Sequence, residues 1–600
     1  MTPTSIAGPL LERPPTRAGV ETSRSWWQRI RARWSRADAL VALTFLTLAV
    51  FVLHRQWRNL DNGYLVKSGQ DQTMWEWFFA VAAHSVANFE NPLGTTLQNQ
   101  PLGVNMMANT AMFSVSIPFA PVTLLFGPTA TFVTVLTLGL CGTAFAWYWL
   151  LSRYVVDSRL AAAVGGLVCG FAPAMISHAN AHPNFVCLFL FPLIIAAILR
   201  LSTDGRWVRD GLVLGFLLAV QIGLGEEPLL IFAFGFPLFV LVYALHTPRD
   251  GLARFATMVR PLAVAAVTAF ALTGIALWYQ FFGPQSYGAV DHSRSSNDVK
   301  SLFQFPSESL GGWFAPGQNV AINPTEQNAY LGWPLLGVVA IVAVWLWRDR
   351  LVRAATVTLV AMIVLSLGSE LVIGGEHTGI TMPWQYVAHL PLLESLLETR
   401  FILAAIPAIA IMLAVATQRA LASRATQVFW FGALLIALVP LAPTPLPIVD
   451  RGETPEFFTD GAWQSYVTDG SVVVVPIPNP QDARALRWQG ASDFGFSIAG
   501  GYFVGPTGTG HNKGNYGPLP RPTADLLAKV QRTGTVPPID DAIRADAADD
   551  LRFWRADVVV LPHTQNQDAI RLTVQLLLGE PGRPVDDVWV WDVRTPQQSV

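Results

Sequence analysis

The feature that most constrains this chain is a series of long apolar stretches, which begins at about Ala39 and ends at about Leu446. Runs of roughly 17–25 apolar residues are long enough to cross a lipid bilayer as helices. The composition agrees, since 52% of the residues are apolar and 13% are charged, against about 25% charged in soluble domains. The sequence therefore predicts an α-helical polytopic membrane protein with about eleven transmembrane helices. Their predicted positions are 39–54, 129–151, 160–177, 184–200, 211–224, 228–245, 262–282, 329–347, 355–373, 401–417 and 427–446.

Basic residues set the orientation of such a bundle, because short cytoplasmic loops are rich in Lys and Arg. Arginines of the amino-terminal tail and of several later turns fall on one side if the chain crosses about eleven times. This count requires that the stretch 111–126, broken by Pro118 and Pro121, lies on or dips into the outer face. The prediction is a plasma-membrane protein with a cytoplasmic amino terminus and an extracytoplasmic carboxyl terminus.

Polar segments divide the chain into three predicted parts. Residues 1–37 are rich in proline and arginine and are expected to be a disordered cytoplasmic tail. Residues 38–446 form the membrane domain, and prolines at 440, 443, 445 and 447 mark a stiff exit from it. Residues 448–600 mix strand and helix patterns, which predicts an extracytoplasmic α/β domain. The predicted strands are Val472–Val475, Val558–Leu561 and Val588–Val593, and the predicted helices are Ala524–Arg532, Ala545–Phe553 and Asp568–Leu578.

The loop between the first two predicted spans, residues 54–127, is much longer than a turn between helices requires. Its helical pattern from Thr73 to Phe89 places Glu76, His84 and Asn88 on one stripe, opposite an aromatic face. This pattern predicts an amphipathic helix that lies flat at the membrane interface. Asp71 precedes the helix, either as a cap that accepts backbone hydrogen bonds or as a general base that takes a proton from an acceptor hydroxyl. One carboxylate can do both.

A basic tail, one span, a long outer loop and a many-span bundle follow one another, and the loop contains Gly69-Gln70-Asp71-Gln72, Asn91-Pro92-Leu93 and Pro101-Leu102-Gly103-Val104-Asn105. This order resembles the GT-C superfamily of integral-membrane glycosyltransferases over roughly residues 38–446. The resemblance implies an inverting transferase with a polyprenyl-phosphate sugar donor, and it gives Asp71 the role of base or metal-binding acid. Glutamine flanks Asp71 on both sides, unlike the paired acids of the family motif, so the need for a metal stays open. Mg²⁺ and Mn²⁺ are the candidate ions, and Asp71 and Glu227 are the candidate ligands.

Further candidate residues stand at the predicted outer ends of spans. Transfer leaves negative charge on a lipid phosphate, so a cationic clamp is expected, and Arg400 opens a span there unless it only snorkels to the interface. His178 and His182 are four residues apart, but Pro183 disfavours helix at His182, so substrate hydrogen bonding or simple loop polarity is favoured over metal binding. The full set of predicted substrate-binding residues is Glu76, His84, His178, His182, Glu226, Glu227, Arg294, Lys300 and Arg400.

Several function classes can be weighed against transfer. The segment 505–511 resembles a phosphate loop but has His511 where that motif needs lysine, and a formal net charge of −2 gives no sign of a nucleic-acid partner. The expected partners are a polyprenyl-phosphate sugar donor, membrane lipid, and an envelope glycan, lipid or protein acceptor. A lipid or polysaccharide transporter or flippase would place polar residues through the middle of several spans. A non-catalytic envelope scaffold would leave Asp71 replaceable.

Overall fold

Helical residues lie in every stretch that the sequence marks as a span. The structure is a computed structural model and describes residues 35–201, 206–290, 292, 295–508 and 513–594. In this part of the chain five helices are long and apolar enough to cross a membrane by length and composition, as expected for a multi-pass membrane protein. They are Arg36–Arg58, Pro128–Tyr154, Glu226–Ala244, Pro248–Phe282 and Glu398–Ala420, the last with a 3₁₀ turn at Glu398–Phe401. Shorter helices occupy the other positions: Arg159–Phe171, Pro173–His178, Pro183–Val186, Leu190–Arg200, Trp207–Ile222, Trp333–Trp345, Arg350–Ser366 and Arg424–Leu438.

Four of the predicted spans are interrupted or end early. The span 160–177 is broken at Ala172, and the span 427–446 ends at Leu438. The span 184–200 is broken between Val186 and Leu190, where the Thr143 hydroxyl donates to Val186 O at 3.0 Å and accepts from Leu188 N–H at 3.1 Å. A neighbouring side chain thus satisfies backbone groups that a break in lipid would leave without partners. The span 355–373 stops at Ser366, and Gly368 (φ +77°) turns the chain out of the helix.

The helices of the bundle approach closely because small residues stand at their contacts. A Cβ added at Gly166 would lie 2.6 Å from Ala144 O, and one at Gly170 would lie 2.4 Å from the Ala144 side chain. Both glycines therefore allow helix Arg159–Phe171 to press against helix Pro128–Tyr154, as small residues do in membrane bundles.

The strands, in chain order, are β1 (Gly63–Leu65), β2 (Gly94–Thr95), β3 (Val104–Asn105), β4 (Ala289–Val290), β5 (Glu370–Ile373), β6 (Glu376–Thr381), β7 (Ile448–Asp450), β8 (Ser471–Val474), β9 (Ser497–Ile498), β10 (Val504–Pro506), β11 (Lys513–Tyr516), β12 (Ala556–Leu561), β13 (Arg583–Val585) and β14 (Val588–Asp592). The main sheet has the order β13-β14-β12-β8-β9. In it β8 is parallel to both β12 and β9, and β14 is antiparallel to β12. The predicted strands coincide with β8, β12 and β14.

This sheet is buried on both faces because its central strands are apolar without interruption. Alternate residues of a strand point to opposite faces, so Val473 and Val559 pack into one core while Val472 and Val558 pack into the core shared with the bundle. The helices of this part are Glu456–Thr459, Arg484–Ala491, Pro522–Thr533, Asp541–Phe553 and Gln567–Leu578. We call residues 448–594 the C-terminal region.

The C-terminal region is seated on the first loop, residues 59–127. Strand β7 pairs antiparallel with β1 of the loop. Trp77 Nε1 donates to Gln489 Oε1 at 2.8 Å. Asn109 donates to Val504 O at 2.9 Å and accepts from Val504 N–H at 2.6 Å. Backbone and side-chain bonds therefore hold the two parts in a fixed arrangement.

The helix Asp71–Ala87, which we call the loop helix, corrects one expectation. Most of its residues are buried, so it does not lie flat at an interface with one polar side exposed. Glu76, expected on the exposed polar stripe, is buried because Arg451 of the C-terminal region covers it, at 2.6 Å from Arg451 Nη1 to Glu76 Oε2. The short helices Phe113–Ser116 and Ala120–Phe126 follow, broken near Pro118 as expected, and they leave Leu125 and Phe126 exposed.

Candidate active site

Asp71 is the first residue of the loop helix, and its carboxylate points away from the helix backbone. The capping position belongs to Gln70, and the free N–H groups of Gln72 and Thr73 are taken by Ser68 Oγ and the Tyr64 hydroxyl instead, so the cap interpretation of Asp71 is wrong. Instead Asp71 Oδ1 accepts from the Tyr502 hydroxyl at 2.5 Å, and Oδ2 lies 3.4 Å from His182 Nε2. A carboxylate held from two sides in this way presents a fixed orientation to a substrate.

The two histidines meet although the chain is not helical at the second. His182 precedes Pro183 and has φ −119° and ψ 77°, in agreement with the expected restriction before proline. Its backbone N–H nevertheless donates to His178 O at 2.7 Å, and the two Nδ1 atoms lie 3.1 Å apart. His178 stacks on Phe185 at a ring distance of 4.9 Å, and burial lowers the pKa of His178 well below its ordinary value. His178 is therefore neutral in this setting.

Glu326, which the sequence did not single out, joins this pair. Its carboxylate oxygens lie 3.9 Å from His178 Nε2 and 3.8 Å from His182 Nδ1. Burial opposes its ionisation, but its neighbours, Arg400 foremost, outweigh burial and lower the pKa of Glu326 to about 2. Glu326 is therefore an ionised carboxylate in a fully buried position.

Arg400 links Glu326 to a second carboxylate. Its Nη2 donates to Glu326 Oε1 at 2.5 Å, and its Nη1 donates to Glu227 Oε2 at 2.8 Å. The guanidinium also stands 4.3 Å above the Phe185 ring, a cation–π contact that keeps its plane in place. Arg400 is thus fixed by buried partners and does not snorkel to an interface.

These contacts assemble one site from distant parts of the chain. The first loop supplies Asp71, the segment after helix Arg159–Phe171 supplies the histidines, and the starts of two long helices supply Glu227 and Arg400. We call Asp71, His178, His182, Glu227, Glu326 and Arg400 the polar cluster. It has three carboxylates against one guanidinium, so its charge balance favours a further cation.

The part of the polar cluster best suited to a metal is the trio His178, His182 and Glu326. Their ligand atoms all lie within 4.8 Å of one another. Two imidazole nitrogens and one carboxylate form a mixed donor set, which suits Mn²⁺ or a heavier transition metal better than Mg²⁺, an ion that prefers oxygen ligands. Glu227, expected as a ligand beside Asp71, gives its oxygens to Arg400 and to Leu397 N–H instead.

Two tyrosines of the C-terminal region complete the site, and neither was singled out as a site residue from the sequence. Tyr502 holds Asp71, and burial followed by the charge of Asp71 raises the pKa of Tyr502 far above its usual range. Tyr516 stands at the end of β11, which pairs with β4 of the loop 283–328. Burial raises the pKa of Tyr516, and Arg400 is the nearest opposing charge. Both phenols are therefore neutral donors at neutral pH.

Other predicted residues lie elsewhere. Glu76 is paired with Arg451 and accepts a hydrogen bond from Gln72 Nε2 at 2.8 Å. It therefore helps to hold the C-terminal region against the first loop. His84 packs on Phe494 at 5.1 Å. Lys300 is exposed and forms no ion pair with a residue that the structure describes. Arg294 and His511 lie outside the described residues.

Glu226 is half-buried. It precedes Glu227 in the sequence but makes no direct contact with the polar cluster among the described residues. One oxygen, Oε1, has no hydrogen-bond partner there. A second network of polar contacts is centred on Glu308. Lys67 Nζ lies 3.4 Å from Glu308 Oε1, and Asn180 donates to Glu308 Oε2 at 2.7 Å. Asn180 stands between the two histidines, so this network ties their segment to the first loop.

Comparison with solved structures identifies the fold. The chain matches the mycobacterial arabinofuranosyltransferase AftD with a TM-score of 0.51 at 15% identity, over 94% of this chain and 42% of AftD. The chain has a GT-C-like fold. It also aligns with the Archaeoglobus fulgidus oligosaccharyltransferase in the apo form (TM-score 0.48, 11% identity, 92% of this chain and 73% of that one) and with ArnT from Cupriavidus metallidurans bound to undecaprenyl phosphate (0.42, 13%, 92% and 96%). No protein-family model and no curated protein matches the sequence. The expected GT-C-like helical fold is confirmed, with five candidate membrane spans among the described residues, and at these identities the likeness shows the fold alone.

Proposed function

We propose that this GT-C-like chain is a membrane glycosyltransferase. It transfers a sugar from a polyprenyl-phosphate donor to a cell-envelope acceptor, with inversion at the anomeric carbon. The observation that carries the proposal is the carboxylate of Asp71, held between Tyr502 and His182 at the edge of the polar cluster. The similarity in fold to a protein named as an arabinofuranosyltransferase supports sugar transfer as the reaction class.

In the proposed reaction Asp71 is the general base. The acceptor hydroxyl attacks the anomeric carbon, the bond from that carbon to the phosphate oxygen breaks, and the hydroxyl proton moves to Asp71. The electron pair of the broken bond stays on the lipid phosphate. The Tyr502 hydroxyl donates to Asp71 Oδ1 and so holds the carboxylate in one orientation. The positive charge of Arg400 is already paired with Glu227 and Glu326, so its proposed part is to hold these carboxylates in place.

We propose that a divalent cation, Mn²⁺ in preference to Mg²⁺, is held by His178, His182 and Glu326. Bound there, it would offset the charge of the donor phosphate. Arg400 fits this arrangement because it keeps Glu326 ionised and oriented and thereby prepares a carboxylate ligand. Asp71 is not one of these three ligands. Its Oδ2 lies 3.4 Å from His182 Nε2, and this separation leaves that oxygen free to accept a proton.

The membrane arrangement is also part of the proposal. We place about eleven spans in the plasma membrane, the amino terminus in the cytoplasm, and the first loop and C-terminal region outside. The supporting observation is that Asp71, His182, Glu227 and Arg400 all stand at or next to helix starts and belong to one cluster, which Tyr502 of the C-terminal region contacts through Asp71. A flippase would need polar groups along the helices, whereas the described cluster gathers at one end.

The decisive experiment compares two carboxylates of the first loop. Purified protein in liposomes is given radiolabelled polyprenyl-phosphate sugars and envelope glycan acceptors, as wild type, Asp71→Asn and Asp61→Asn. Asp61 is exposed in the same loop and is the matched control. General-base catalysis contributes about 10²–10⁴-fold, so Asp71→Asn should lose at least two orders of magnitude in transfer rate and Asp61→Asn should lose nothing. Transfer that survives Asp71→Asn would remove the proposed base, and lipid movement without a new glycosidic bond would favour a flippase.

A further inference from the structure

A tyrosine and a histidine from distant parts of the chain stand side by side where two strands meet. Strand β11 of the C-terminal region runs parallel to β4 of the loop 283–328, with Gly514 opposite Val290. Two residues beyond this contact come Tyr516 and His292, whose rings lie 6.5 Å apart. We call Tyr516 and His292 the ring pair.

Tyr516 connects the ring pair to the Asp71 side of the polar cluster. In the antiparallel pairing of β10 and β11 it lies opposite Val504. Val504 follows Tyr502 by two residues, and the Tyr502 hydroxyl donates to Asp71 Oδ1. Tyr516 is therefore on the side of Asp71 that faces the C-terminal region, whereas His182 approaches Asp71 from the bundle.

His292 connects the ring pair to the Glu227 side of the polar cluster. Its Nε2 lies 3.1 Å from Ser395 O. Two residues after Ser395, the N–H group of Leu397 donates to Glu227 Oε1 at 3.2 Å. The ring pair therefore extends from the segment that holds Asp71 to the segment that holds Glu227.

Tyr516 presents its ring to solvent. It is 46% exposed, and its hydroxyl forms no hydrogen bond with a residue that the structure describes. Partial burial raises the pKa of Tyr516. The charges of Arg400, Glu227 and Asp71 also act on the hydroxyl, and these three side chains are partly exposed as well. A ligand from solvent can therefore reach both the proposed base and the Tyr516 ring.

The contact with a carbonyl fixes the protonation of His292. Burial lowers the pKa of His292, so its imidazole is neutral at neutral pH. A carbonyl oxygen can only accept, so Nε2 carries the hydrogen and donates it to Ser395 O. Nδ1 then holds a lone pair, and it forms no hydrogen bond with a described residue. His292 therefore offers one free acceptor beside the Tyr516 ring.

These groups match a neutral sugar. A pyranose or furanose ring has faces of C–H groups that pack on an aromatic ring, and hydroxyls at its rim that bond polar atoms. The ring and hydroxyl of Tyr516 and the Nδ1 atom of His292 supply both kinds of contact. The ring pair contains no positive charge, so an anionic sugar gains nothing from it.

We propose that the ring pair binds the acceptor sugar, an inference that rests on the proposed transferase function. The Tyr516 ring packs against a C–H face of a neutral sugar, and His292 Nδ1 accepts a hydrogen bond from one of its hydroxyls. Because Tyr516 lies on the side of Asp71 away from the bundle, the sugar that it holds enters beside the C-terminal region. The donor stays with its lipid among the membrane helices. The ring pair thereby brings the reacting hydroxyl to Asp71.

The test measures sugar binding separately from transfer. Full-length protein in detergent is titrated in a calorimeter with neutral arabinosyl, mannosyl and galactosyl oligosaccharides. Tyr516→Leu should weaken binding about tenfold, and Tyr516→Phe, which keeps the ring, should stay within about threefold of wild type. Tyr386→Leu is the matched control, because Tyr386 is 71% exposed and forms no hydrogen bond or ring contact with the polar cluster in the described part of the chain.

A second variant tests the other member of the ring pair. His292→Phe keeps an aromatic ring but removes the Nδ1 acceptor, so it should weaken binding about threefold. Thermal unfolding shows whether each variant is folded, and His292→Phe keeps the test decisive if Tyr516→Leu is not. The inference is overturned if wild type binds none of the oligosaccharides, if Tyr516→Leu and His292→Phe bind as wild type does, or if Tyr386→Leu loses as much affinity as Tyr516→Leu.

Transfer kinetics separate this inference from the proposed function. The acceptor KM of Tyr516→Leu should rise about tenfold while the donor KM stays the same. A rise in the donor KM alone would place the ring against the donor and overturn the acceptor assignment. Oligosaccharide binding that depends on Tyr516, in a protein that forms no glycosidic bond, would support the sugar site and remove the transferase. Transfer with an unchanged acceptor KM in Tyr516→Leu would keep the transferase and remove the sugar site.

Discussion

The buried pair of Glu76 and Arg451 gives a stability prediction that can be worked from the contacts. Arg451 donates to both oxygens of Glu76, at 2.6 and 2.9 Å, and to Gly63 O at 2.8 Å. Less than a tenth of either side chain is exposed. Removing one partner of a buried ion pair costs about 3–5 kcal/mol, because the other charge stays buried without compensation.

In an Arg451→Met protein, Glu76 keeps one hydrogen bond, from Gln72. Unfolding units of about 150–250 residues change Tm by about 2–4 °C per kcal/mol, so the C-terminal region should melt about 6–20 °C lower. Adding Glu76→Gln removes the unpaired charge and should restore most of this loss. The Gly63 carbonyl loses one of two donors and keeps the bond from Gln56 Nε2 at 2.8 Å, so a deficit of only about 1 kcal/mol should remain.

The assay is thermal unfolding in detergent, followed by tryptophan fluorescence at one scan rate for all proteins. Arg544→Met is the control, because Arg544 pairs with a fully exposed Asp541 and exposed pairs contribute little to stability. An unchanged Tm for Arg451→Met would refute the reasoning. So would a double variant that is no more stable than Arg451→Met alone, since the loss would then not come from an unpaired carboxylate.

Three further predictions concern the polar cluster. Tyr502→Phe removes the hydrogen bond to Asp71 and should lower kcat about tenfold with the donor KM unchanged, and steady-state transfer kinetics would expose an error if only KM moved. Arg400→Lys keeps the charge but cannot bond Glu227 and Glu326 together, so both kcat and Tm should fall; a Tm equal to wild type would mean that the two contacts are not linked through the guanidinium. Wild type should bind Mn²⁺ in electron paramagnetic resonance titrations while His182→Ala should not, and equal binding by both proteins would place the ion elsewhere.

Polarity at helix ends was visible in the sequence, and this explains which site residues could be predicted. His178, His182, Glu227 and Arg400 each interrupt or border an apolar run, where a charged or polar group is costly unless it has a role. The structure brings these four together through contacts that no spacing in the sequence encodes. Glu326 and Tyr502 gave no such signal, because they lie in long polar loops where acids and tyrosines are ordinary.

The error over Glu76 has a different origin. A polar stripe on a helix predicts a solvent-facing side only when no other part of the chain can supply a matching charge. Here Arg451 follows the proline-rich exit from the bundle and returns to the loop helix, after β7 has paired with β1. The distance in sequence between Glu76 and Arg451 hides the pairing, although both residues are charged and both belong to segments predicted to lie outside the membrane.

The length of the first loop follows from the number of surfaces that it must meet. Asp71 needs His182 from the bundle on one side and Tyr502 from the C-terminal region on the other. A short turn between two helices would leave the Asp71 carboxylate at the bundle surface without the hydrogen bond from the C-terminal region. The loop instead carries a buried helix, a strand for β7 and Asn109, which holds Val504. Because the same loop positions Asp71 and holds the C-terminal region, shortening it should disturb both together.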